Sequence, residues 1–148
     1  MKKILFLLLT LLLISCSATS EEVTISSKPA MLTERALTFT PSKPIRTTKY
    51  PFNLLLISVP STYKLEPTAW TLAAPNGDKI KVEAIFKTSD GIKTRFDHVG
   101  FMTGNQKQYL TLLADPNEKL KNEYVELQII SSQPFLANEI KWLSTSKL

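Results

Sequence analysis

Pro75-Asn76-Gly77-Asp78-Lys79-Ile80-Lys81-Val82-Glu83-Ala84-Ile85-Phe86-Lys87 is the stretch that decides the fold class. Ile80, Val82, Ala84 and Phe86 fall on one side of an extended backbone, and Lys79, Lys81, Glu83 and Lys87 fall on the other. A period of two means a strand with one face buried, and Ile85 alone departs from it. Pro75 suits the first central position of a turn, and Asn76-Gly77 supplies the positive φ that a tight hairpin requires. Ser89-Asp90-Gly91 repeats the turn signal beyond the strand, so residues 68–98 read as a three-strand meander.

Working outward, short runs rich in Val, Ile, Leu, Phe, Tyr and Thr alternate with Pro, Gly, Asn and Asp. They predict nine strands, near residues 22–26, 35–40, 52–59, 68–74, 79–87, 92–98, 108–113, 123–131 and 138–144. In the eighth, Val125, Leu127 and Ile129 alternate with Glu126 and Gln128, which again means a half-buried strand. Residues 52–59 are apolar on both faces and are expected to form the most deeply buried strand. Asp115-Pro116-Asn117-Glu118 has an N-cap residue, a proline at the first helical position and an acid three residues after the cap, which predicts one helical turn. The class is all-β. The run of strands resembles an immunoglobulin-like or transthyretin-like β-sandwich of about seven to nine strands, and a small barrel would satisfy the same pattern. The sandwich resemblance implies a core tryptophan near mid-chain, where Trp70 stands. Alternation puts Tyr124 opposite Val125, Leu127 and Ile129, which argues against a tyrosine corner.

The chain opens with Lys2-Lys3, an apolar run over residues 4–9, and then Thr10 to Ile14 leading into Ser15-Cys16. A charged start, a short apolar segment and a small residue before a processing point make a secretory signal, shorter than the roughly 20 residues of a membrane span. Leu13-Ile14-Ser15-Cys16 resembles the lipobox of bacterial lipoproteins. The resemblance implies that residues 1–15 are cleaved, that Cys16 is diacylated, and that the new amino terminus is acylated, a palmitate-type anchor. Residues 16–22 then comprise the lipidated cysteine and a short polar tether, and residues 23–148 form the sandwich domain. Ser17, in place of an Asp, resembles the pattern sent to the outer membrane in Gram-negative bacteria, facing the periplasm. In a Gram-positive cell the same signal leaves the protein on the outer face of its one membrane.

Losing Lys2 and Lys3 lowers the net charge from +5 to +3. Residues 23–65 hold six basic groups and the single acid Glu34, whereas the two signs balance from Glu66 onward. A basic half near the anchor would favour anionic headgroups. Cys16 is the only cysteine, so lipidation leaves the domain without a disulfide, a thiol nucleophile or a thiolate metal site. His98 is the only histidine. On a regular strand its neighbour Asp97 points to the opposite face and cannot orient it as a triad carboxylate does. One histidine and no free thiol remove the usual zinc sets, and Asp78 and Asp90 sit in turns that call for Asp anyway. No metal, cofactor or nucleic acid is expected.

Two segments stand out as contact surfaces. Residues 41–51 carry Lys43, Arg46, Lys49 and Tyr50 without an acid, stiffened by Pro41, Pro44 and Pro51. Gly100-Phe101-Met102-Thr103-Gly104 places Phe101 and Met102 between glycines, in a stretch read as a polar connection. The expected function is a non-catalytic envelope lipoprotein that binds or scaffolds another envelope protein. The alternatives are an inhibitor or immunity lipoprotein against a lytic enzyme, toxin or phage, and an envelope hydrolase using His98 with a nearby carboxylate.

Overall fold

The computed structural model describes residues 19–48, 53–66, 71–104, 107–115 and 117–146, with side chains left undescribed at 19–20, 100–104 and 145–146. The described residues form strands and turns and no helix. The first strands are β1 (Thr19–Ser26), β2 (Ala30–Leu32), β3 (Leu37–Phe39), β4 (Ile45–Arg46), β5 (Asn53–Val59), β6 (Lys64–Glu66), β7 (Thr71–Ala73) and β8 (Lys79–Ile80). Then follow β9 (Val82–Lys87), β10 (Lys93–Gly104), β11 (Lys107–Ala114), β12 (Glu123–Tyr124), β13 (Glu126–Ser131), β14 (Phe135–Ala137) and β15 (Ile140–Ser146). Eight of them make one sheet in the order β1-β15-β5-β11-β10-β9-β13-β3, with three small ladders, β12-β4, β14-β2 and β6-β7-β8, beside it. All the pairings are antiparallel.

The sheet curls over itself. Trp142 on β15 and Phe86 on β9 are four strand-to-strand steps apart in the sheet, which would separate them by about 19 Å if it were flat. Their ring centroids are 5.2 Å apart. Phe96 joins them, 4.4 Å from Phe86 and 5.8 Å from Trp142, and Tyr124 stands 5.4 Å from Phe86. One apolar core surrounds this cluster, fed by Leu55, Ile57 and Val59 of β5, Leu110 and Leu112 of β11, and Leu127 and Ile129 of β13. All seven residues of β5 are buried, as expected of a strand apolar on both faces; Phe52 lies outside the described residues.

The deciding stretch is extended as its pattern requires. Ile80, Val82, Ala84 and Phe86 enter the core and Lys81 faces solvent. Its hydrogen-bond partners change part-way: β8 pairs with β7, whereas β9 pairs with β10 and β13. Between them the Lys81 N–H donates to Ser132 Oγ at 2.9 Å, and the Lys81 carbonyl accepts from the Ser132 N–H at 2.8 Å. The expected single-sheet meander is therefore divided between two sheets. Both hairpin turns form and share one design: the N–H of Gly77 donates to the Ala74 carbonyl and that of Gly91 to Thr88, each glycine having φ of 89°.

Two expectations are corrected. No helix forms at Asp115, Asn117 and Glu118: the Glu118 N–H donates to the Asp115 carbonyl at 2.8 Å and the Asp115 carboxylate takes the Asn117 N–H at 2.7 Å, while Pro116 lies outside the described residues. The side chain that would cap a helix holds the Asn117 N–H two residues on, the contact of a turn. Tyr124 is fully buried, because a bend at Val125 separates β12 from β13 and resets the alternation. Its hydroxyl accepts the Lys121 N–H three residues upstream at 3.0 Å, the contact of a tyrosine corner, and donates to Thr94 Oγ1 at 2.8 Å. Trp142 is a fully buried core tryptophan, and its indole N–H donates to the Arg46 carbonyl at 3.0 Å; Trp70, where the sandwich resemblance places one, lies outside the described residues.

Candidate functional site

Cys16 and the residues before it lie outside the described residues. The domain begins close behind them. Thr19 already pairs with Ser146 at the end of β15, so residues 19–22, read as tether, belong to β1. At the same end of the sheet, Lys43 Nζ stands 3.3 Å from Glu21 Oε1, and Arg46 Nε 3.6 Å from Glu123 Oε2. Arg46 is a strand residue, fixed by the β4-β12 ladder. Acids from β1 and β12 thus stand against two of the basic groups of residues 41–51, while Lys49 and Tyr50 lie outside the described residues.

Phe101 and Met102 belong to β10, opposite Leu110 and Tyr109 of β11. The stretch read as a connection is strand. Upstream, the β10-β11 register shifts between Phe96 and His98, so Asp97 is the extra residue of a bulge. A bulge turns consecutive side chains toward a common side, and His98 Nδ1 lies 3.1 Å from Asp97 Oδ1, contrary to the expectation from a regular strand. Its other nitrogen, Nε2, is 3.9 Å from Asp115 Oδ2. A general base needs one nitrogen aimed at a nucleophile, and here each nitrogen faces a carboxylate.

A polar network that no motif announces crosses the outer face of β1, β15 and β11. Lys141 Nζ reaches Glu22 at 3.1 Å and Glu139 at 3.2 Å, Lys107 stands 3.7 Å from Glu139, and the Tyr109 hydroxyl donates to Glu139 Oε2 at 2.8 Å. Partial burial works to raise the Glu139 carboxyl, but the Tyr109 hydroxyl and the two lysines outweigh it and hold the group below its ordinary range. Burial and the Glu139 carboxylate push the Tyr109 phenol up, and hydrogen bonds to Glu22 and Glu139 raise Lys141. Beside the network lies an open groove of about 370 Å³ lined by Ser58, Ser61, Lys107, Gln108, Asn138 and Glu139 among others. These partners come from distant parts of the chain, and the strand register alone assembles them.

Among the described residues no group of three or more His, Cys, Asp or Glu side chains is arranged to hold a metal ion. No helix among them is long and apolar enough to cross a membrane. No protein-family model matches the chain, and no curated protein sequence matches it.

Proposed function

We propose that the chain is a non-catalytic lipoprotein of the bacterial envelope, held in a membrane by lipid on Cys16, whose domain binds or scaffolds another envelope protein. The observation that carries this reading is the short distance from the lipobox to the first described strand: β1 includes Thr19, three residues after Cys16. Three residues span about 10 Å at most, so a lipid on Cys16 holds the β1 end of the domain against the headgroups. The outer membrane, on its periplasmic face, is the destination this reading takes from Ser17. The domain is read as a β-sandwich of the immunoglobulin-like or transthyretin-like kind, with the chain crossing between layers at Lys81 and at Val125. The strand breaks at those two positions support that reading.

The test is Cys16→Ser. Wild-type protein is expected to sediment with membranes and to incorporate labelled palmitate, and the variant to do neither. Equal sedimentation and labelling would overturn the anchor. Crosslinking in intact cells is expected to join the wild type to a specific envelope protein; a domain that stays monomeric and uncrosslinked would overturn the binding role.

A further inference from the structure

β10 is the longest strand, and its two edges differ. β11 pairs with it out to Gly104 opposite Lys107, whereas β9 pairs only with Lys93, Thr94, Arg95 and Phe96. β9 itself runs back to Val82, but there it pairs with β13 alone. The β9–β10 ladder ends at Phe96, the residue before the Asp97 bulge. Among the described residues no strand pairs with the outer edge of residues 99–104.

The chemistry of that edge is distinctive. Strand edges are normally protected by charge, by proline or by being very short. β1 carries Glu21 and Glu22, and the three-residue β3 is followed closely by Pro41. Residues 99–104 read Val-Gly-Phe-Met-Thr-Gly, with neither charge nor proline. They also lie at the end of the sheet away from the anchor. β5 runs from Asn53, opposite Ser144 near the β1 start, to Val59, opposite Gln108 near the hairpin tip. Seven residues of strand cover about 20 Å.

We propose, resting on the anchored binding role above, that residues 99–104 of β10 are where the partner docks. An uncharged extended segment of another protein adds there as a further strand. A second copy of this chain does not fit. Two copies of one edge paired antiparallel about a twofold axis point their β1 starts in opposite directions, and both cannot then be anchored in the same membrane face. A parallel twofold pairing sets identical N–H groups against one another, so no ladder forms.

Amide hydrogen exchange on the full-length lipoprotein tests this, comparing protein purified in detergent with protein in native envelope membranes. The amides of residues 99–104 that face the open edge are expected to exchange fast when purified and about tenfold or more slowly in membranes. Thr103→Lys, which puts a charge on the edge, is expected to abolish the slowing and to remove the crosslinked partner, with the thermal midpoint kept. If that variant misfolds, the wild-type comparison still decides. Unchanged amides with a partner crosslinked elsewhere would overturn this site and leave the binding role intact. Unchanged amides with no crosslink would overturn both. Slow exchange in the purified protein together with a dimeric mass would show that the edge pairs with its own copy, and would also overturn the proposal.

Discussion

Tyr124 shows what a single buried hydroxyl holds. It joins β12 to Thr94 on β10 and to the backbone of the turn before β12, and Thr94 is only 2% exposed. Tyr124→Phe leaves that threonine hydroxyl and the Lys121 N–H to find other partners, so a loss of about 1–3 kcal/mol is expected, read as a lower urea midpoint with an unchanged far-UV spectrum. The Glu139 network has a sign that pH reveals. The folded-state pKa of Glu139 is depressed from 4.5, so its contribution is present above that value and is lost as pH falls through the lower folded value. Lys141 is raised from 10.5, so its contribution is full below that value and is lost as pH rises through the higher one. Glu139→Gln is expected to cost about 1 kcal/mol near neutrality, since the carboxylate is partly exposed and screened. It should also flatten the fall in urea midpoint below about pH 5. An acid limb as steep as that of the wild type would show that other carboxylates govern it.

Elements were legible where backbone chemistry is local. Gly91 holds φ of 89° and a Cβ added there meets nothing within 4 Å, so Gly91→Ala carries a purely conformational cost. About 1 kcal/mol is expected, with Gly91→Asn costing less because Asn tolerates the left-handed region. Equal losses for Ala and Asn in thermal unfolding would mean that side-chain packing matters there instead. The same local rules made both hairpins and the faces of β9 and β13 readable. They did not show that Lys81 divides a strand between two sheets, because a period of two records which face is buried and says nothing about which strand supplies the hydrogen bonds. The two-residue and three-residue strands β2, β4, β6 and β14 are too short to display a period at all. The bend at Val125 and the bulge at Asp97 each shift the alternation by one residue. That shift hid both the tyrosine corner and the Asp97–His98 contact.

At the scale of the molecule, the first and last described strands are neighbours in the sheet. β15 lies between β1 and β5, the last described strand joining the first to one with every residue buried. It also delivers Ile140 and Trp142 to the core, and its Lys141 ties the polar network to β1. Neither the groove nor the network was visible in the sequence, because residues 22, 107, 109, 139 and 141 meet only after these long-range pairings form. A chain ending at Asn138 keeps both hairpin turns and most of the alternating strands, yet it loses an interior strand of the sheet. β5, with every residue buried, would then become an edge, and β1 would lose its described partner strand. Such an edge invites aggregation. The truncated chain is therefore expected to show no cooperative urea transition and no near-UV signal, and to bind a hydrophobic dye. A cooperative transition with an undiminished m-value would mean that the remaining strands form a complete core without β15.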